Sequence, residues 1–195
     1  MAYKTEAELQ RELIELQLAK LNRAEKEFIP FVKSVWPDFV EGPHHIKIAK
    51  QFERIARGEI KRLIVNMPPR HSKSEFASYL MPSWFLGRNP KLKIIQATMN
   101  TELAVRFGRK VRDLIADPIY KEIFPGTDLK QDSQAAGRWE TSAGGEYFAA
   151  GVGAAMTGRG ADLLIIDDPH SEQDAMSATS MENAYEWYTS GPRQR

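Results

Sequence analysis

Leucines at 9, 13 and 16, together with Ile14, Leu18 and Leu21, recur every three or four residues among Glu, Lys and Arg. That spacing predicts an amphipathic helix over residues 5–29. Thr5 followed by Glu8 adds a capping box at its start. "WPDFVEGPHH" (36–45) breaks the pattern with two prolines and a glycine. A second helix, "HIKIAKQFERIARG", is expected to close on Gly58 as its C′ glycine.

Further on, short apolar runs alternate with helical patterns. "RLIVNM" predicts a buried strand, "SKSEFASYLMPSWFLG" a helix, "KLKIIQAT" a second buried strand and "TELAVRFGRKVRDLIA" another helix. "RWETSAGGEYFAAGVG" alternates around Gly144-Gly145 and predicts a hairpin. "ADLLIIDDP" is a third strand that ends in two carboxylates, and "SATSMENAYEWYTSGPRQR" holds a last short helix. The expectation is an α/β fold with a mostly parallel sheet flanked by helices. A helical extension (1–43) precedes the α/β core (44–195).

Composition narrows the picture only at a few points. The chain has 195 residues, 42% hydrophobic and 27% charged, which suits one sizeable soluble domain. With no cysteine it can hold neither disulfides nor thiolate metal sites, which fits a cytosolic setting. No apolar run is long enough to span a bilayer, and "MAYKTEAELQ" has no h-region, so no secretory signal is expected. His44 and His45 are adjacent but lack partners at zinc-ligand spacing. A net charge of +1 gives no general basic footprint, so any nucleic acid would be met by a local patch.

The chemistry concentrates in "NMPPRHSKSEF" (66–76). It ends in Lys73-Ser74 as a phosphate-binding P-loop does, yet Met67 and Ser72 stand where G-x-x-x-x-G-K-[ST] has glycine. A strand turning into a helix near Lys73 would offer a phosphate backbone N–H groups, a helix N-terminus and a cation. Pro69, Arg70, His71, Ser72, Lys73 and Ser74 are therefore the candidate nucleotide-binding residues. Ser72 would have to take a conformation that glycine adopts more easily. Pro68 and Pro69 remove two N–H donors, which the guanidinium of Arg70 could replace. The competing reading is a proline turn before an ordinary helix.

"LLIIDDP" changes that balance, because four apolar residues followed by Asp167-Asp168 have the form of a Walker B strand. Asp167 would hold Mg²⁺ opposite Ser74, and Asp168 would polarise the attacking water. The loop and the acidic strand together predict a nucleoside triphosphatase using ATP and Mg²⁺, with Lys73, Arg70 and Asp168 in catalytic roles.

"LIVNMPPRHSKSEFAS", "GRNPKLKIIQAT", "ELAVRFGRKVRDLI" and "GVGAAMTGRGADLLIIDDP" together resemble the ATPase domain of large terminase subunits, the DNA-packaging motors of tailed bacteriophages. The resemblance implies a P-loop NTPase core of the ASCE type that hydrolyses ATP to drive double-stranded DNA into a procapsid. It implies a ring, a pentamer by family likeness, at the portal protein in the host cytoplasm, with a small terminase subunit as partner and no membrane. It also implies an arginine finger, for which Arg159 on "MTGRGAD" is the first candidate and Arg109 and Arg112 are alternatives. The adenine-contacting glutamine that the family has upstream finds no clear match here; His44, His45 and Gln51 lie in that region. Asp168 stands where the family has a catalytic glutamate, and Pro69 where several members have the P-loop arginine. The family's nuclease domain does not fit in this chain, and the coupling motif is expected to be missing after "GPRQR".

Two alternatives share the motifs. A superfamily 2-like helicase or translocase has the same fold and both Walker elements, but needs a second RecA-like domain. A degenerate nucleotide-binding scaffold would keep the loop without turnover.

Overall fold

A computed structural model describes residues 4–156 and 158–194; Met1–Tyr3, Thr157 of "MTGRGAD" and Arg195 of "GPRQR" lie outside the described residues. Helix α1 (Glu6–Lys26) starts on the expected capping box between Thr5 and Glu8. It stops earlier than its apolar periodicity suggests. Glu27 is extended (ψ 134°), and a separate helix α2 (Phe28–Val35) follows, its Phe28 N–H bonded to Glu53 at 2.9 Å. Helix α3 (Pro43–Ala56) ends in a Schellman motif. Glu59 N–H reaches Arg54 C=O and Gly58 N–H reaches Ile55 C=O, both at 2.9 Å, with Gly58 at φ 74°.

After the loop at 69–72, a helix opens at Lys73 and runs as a π-helical stretch (Glu75–Leu80) into α4 (Met81–Arg88). Strand β1 (Lys93–Thr98), α5 (Thr101–Ile115) and α6 (Pro118–Ile123) come next. Strands β2 (Leu129–Ala135), β3 (Arg138–Thr141), β4 (Glu146–Gly151) and β5 (Leu163–Ile166) complete the sheet. Helices α7 (Glu172–Ala175) and α8 (Ala178–Ser190) follow.

The fold is α/β, an open five-stranded sheet flanked by helices, in the order β2-β3-β4-β1-β5. It is mixed rather than mostly parallel. β4, β1 and β5 run parallel, but β2–β3 and β3–β4 pair antiparallel. The physical cause is the tight turn at Gly144 (φ 93°), which sends the chain straight back on itself as the predicted hairpin.

The second departure is "RLIVNM". Residues 62–68 form no regular element and join no ladder, and among the described residues none of their N–H groups makes a hydrogen bond. Leu63, Val65 and Met67 lean on the core while Ile64 is 86% exposed. An apolar run specifies burial of some side chains, but a strand also needs a partner backbone. Both edges of β1 are taken, by β4 and β5, and the run pairs with neither outer edge of the sheet, at β2 or at β5.

The main core joins both parts of the chain. Phe28 meets Phe52, Phe76 and Trp84 in edge-on contacts at 5.3, 5.5 and 5.6 Å, and Phe31 packs on Tyr120. Trp139 stacks flat on Tyr147 across the β3–β4 pair at 4.9 Å. The first half of α1 stands outside this core, as described below.

Candidate nucleotide site

Two parallel strands, β1 and β5, end side by side at the carboxyl edge of the sheet, where open α/β folds place ligands. Asp167 N–H still pairs with Ala97 C=O (2.9 Å), and Met99 N–H with Asp168 C=O (3.1 Å), so β1 fixes the backbone of both aspartates. The loop before the π-helical stretch arrives at the same edge. Lys73 Nζ lies 2.5 Å from Asp168 Oδ1 and 3.9 Å from Asp167 Oδ1, closing a separation of 95 residues. The two motifs singled out in the sequence are therefore brought together.

The two carboxylates differ in environment. Asp167 is buried, at 7% exposure, whereas the Asp168 side chain is 59% exposed. Asp167 Oδ2 accepts a hydrogen bond from Ser78 Oγ at 2.8 Å, and Ser78 Oγ accepts one from Gln96 Nε2 at 3.0 Å. Ser78 has one hydroxyl proton and spends it on Asp167, so Gln96 must present its amide N–H₂. Gln96 Oε1 is then left as a buried acceptor without a partner. Sequence reading missed this relay, because neither Ser78 nor Gln96 belongs to a motif. The available signal was a polar residue inside each of two apolar stretches, "EFASYL" and "KIIQAT".

The loop carries backbone strain at the predicted place. Ser72, at the position of the missing glycine, has φ 61°, and Arg70 has φ 62°. Asp168 has φ 43°, so three non-glycine residues around this edge occupy the left-handed region. Each such residue costs about 1–3 kcal/mol, and such strain clusters at functional sites. The N–H groups of Arg70, His71 and Ser72 make no hydrogen bond. With the helix N-terminus at Lys73 they form a donor set that fits a phosphate. Pro69 contributes its carbonyl, 2.8 Å from His71 Nδ1, and the exposed Arg70 side chain has no partner among the described residues.

The donor set also fits Mg²⁺, which is commonly held by one or two carboxylates with substrate phosphates and waters. Asp167 and the Ser74 hydroxyl would hold it. Among the described residues no group of three His, Cys, Asp or Glu forms a protein-only metal cage. Among the described residues the Ser74 hydroxyl makes no hydrogen bond, to Asp167 or to any other group; its neighbour Glu75 is tied to Lys110 at 2.5 Å.

The remaining candidates lie elsewhere. Arg159 is bound to Glu146 at 2.5 Å and lies 4.1 Å over Phe148. Glu146 pairs with Lys93 at the opposite end of β1 from the aspartates, about 16 Å along the strand. Arg159 is thus absent from its own chain's site. Arg112 is tied to Asp113 and to Gln134 C=O, while Arg109 is exposed on α5. His44, His45 and His71 cluster beside the loop, with ring centroids 3.8 Å (His44–His45) and 5.6 Å (His44–His71) apart. Gln51, half-buried on α3, instead accepts from Arg54 at 3.0 Å.

Neither the protein-family models nor the curated proteins yield a match to this chain. Among the described residues no helix is long and apolar enough to cross a membrane.

Proposed function

We propose that this chain is a Mg²⁺-dependent ATPase, the motor domain of a large terminase that packages double-stranded DNA into a procapsid. The observation that carries the reading is Lys73 at 2.5 Å from Asp168 and 3.9 Å from Asp167, at a helix N-terminus and a sheet's carboxyl edge. A proline turn ending in Lys-Ser by chance has no reason to meet a paired-carboxylate strand end.

On this reading each residue has a physical task. The N–H groups of residues 70–72 and the helix N-terminus bind the phosphates, and Lys73 leaves Asp168 to neutralise the β- and γ-oxygens. That movement frees Asp168 to accept a hydrogen bond from the attacking water and orient it. Asp167, locked by Ser78, presents a fixed oxygen to the cation. When bound, Mg²⁺ supplies charge neutralisation for the transferring phosphoryl group. Arg70 can swing onto a phosphate oxygen from its exposed position. Arg159 is free for such a role only in a neighbouring subunit's site. The ring, the portal protein, the small terminase subunit and the location at the portal in the host cytoplasm belong to the same proposal.

The test is Mg²⁺-dependent ATP hydrolysis by the chain and by Lys73→Ala over a range of protein concentrations, with and without double-stranded DNA. Turnover that Lys73→Ala abolishes and DNA stimulates is expected. ATP binding without turnover would move the reading to a nucleotide-binding scaffold. Neither binding nor turnover in the parent chain would overturn it.

A further inference from the structure

Helix α1 is a 21-residue helix whose first half buries no side chain. Every described side chain from Lys4 to Lys20 is exposed, and only from Leu21 onward does α1 meet the body. Leu9 (54%), Leu13 (56%), Ile14 (55%), Leu16 (63%) and Leu18 (55%) stand more than half exposed. A free helical segment of this length is marginal in water, and an apolar stripe along it marks a contact surface.

The charges select the occupant. Residues 4–15 carry four glutamates (6, 8, 12, 15) against Lys4 and Arg11. Residues 16–26 carry Lys20, Arg23 and Lys26 against Glu25 alone. Glu6, Leu9, Leu13, Leu16, Lys20 and Arg23 fall at alternating spacings of three and four, the seam of a coiled coil. That seam is complementary to its own reverse. In a parallel pair, Glu6 would meet the partner's Glu6 and Arg23 the partner's Arg23.

We infer that α1 pairs antiparallel with α1 of a second copy of this chain, forming a two-fold dimer. Leu13 sits opposite the partner's Leu16, Leu9 under the methylenes of the partner's Lys20, and Glu6 opposite the partner's Arg23. The fold leaves room for this arrangement. Beside the inner end of α1 opens a cleft of about 670 Å³ whose charged lining is Lys20, Arg23, Lys33 and Lys50 with Glu27, Glu41 and Glu53; Arg23 is held by Glu27 and Lys33 by Glu41. Lys20 and Lys50 form no ion pair among the described residues, so the partner's acidic first turn finds free cations there. The contact is isologous and closes on itself, unlike the head-to-tail contact that builds a ring. It does not depend on the nucleotide reading.

The test uses the whole chain without nucleotide. Sedimentation across micromolar concentrations is expected to show a mass of 22.1 kDa doubling. Leu13→Glu changes only an exposed position away from the core, so the melting temperature of the α/β body is unchanged while the dimerisation midpoint rises more than about tenfold. Because the chain has no cysteine, Leu9→Cys and Lys20→Cys give unambiguous cross-links. Mixed together they should form a disulfide-linked dimer, and each alone should not. A chain that stays monomeric overturns the proposal and leaves the stripe to a different protein. Self-linking of Leu9→Cys alone, or an assembly whose mass survives Leu13→Glu, overturns it as well.

Discussion

Ser78 Oγ donates to Asp167 Oδ2 at 2.8 Å, joining the helix that begins at Lys73 to the strand end that carries both carboxylates. The pair is buried, and Gln96 supports it from β1. Ser78→Ala leaves a buried carboxylate and a buried amide each short of a partner, which costs about 1–3 kcal/mol. Thermal unfolding is expected to show that loss, and a Mg²⁺ titration of hydrolysis a weakened apparent affinity. Ser78→Thr, which keeps the hydroxyl, is expected to restore part of both. Unchanged stability in Ser78→Ala would remove the relay from the account.

The contact between Lys73 and Asp168 must open before phosphate can take the lysine. Asp168→Asn weakens it, so nucleotide binding is expected to be equal or tighter, while hydrolysis falls by at least about 100-fold. Equilibrium binding and turnover, measured on the same variant, separate the two effects. Equal losses in both would assign Asp168 to binding alone.

Ser72 at φ 61° sets a third expectation. Glycine relieves the left-handed strain of about 1–2 kcal/mol but raises unfolded-chain entropy by about 0.4–1 kcal/mol. Ser72→Gly should therefore hold or slightly raise the melting temperature and keep nucleotide binding. Ser72→Val, β-branched in the same conformation, should lose both.

His45 gives the pH dependence. Burial, then the neighbouring His44, holds its pKa below the usual value of 6.5, with a smaller lowering from His71 and an opposing pull from Glu41. Its Nδ1 accepts the Gly42 N–H that starts α3 at 3.0 Å, and its ring stacks on Phe76 at 4.8 Å. The unfolded chain therefore binds this proton more readily than the folded one, so stability falls as pH drops below 6.5. A melting series from pH 8 to 5 is expected to decline through that window, and His45→Gln to flatten the decline.

The sequence shows clearly what local pattern controls. Thr5–Glu8, the Gly58 stop, the Gly144 hairpin and the strand ending in Asp167-Asp168 are each carried by neighbouring residues and stand where expected. Pairing is not local. β2 was missed because "LKQDSQA" buries neither face and shows no alternation. "RLIVNM" has strand composition, but nothing in it says whether a ladder is available. The site divides along the same line. Lys73, Asp167 and Asp168 belong to motifs, whereas Ser78 and Gln96 gain meaning only once the helix and β1 are set against each other.

One consequence follows from β5 as the outermost strand. The segment that delivers the aspartates is four residues long and held by β1 on one side only, while residues 62–68 protect no amide at all. Hydrogen exchange should therefore be graded across the molecule. The amides of 62–68 exchange near the rate of an unfolded chain, those of β5 by small local openings, and those of β1 only with most of the sheet. The acidic pair thus sits on the least protected strand of the parallel part of the sheet. Protection there will report directly on anything that binds across its open edge.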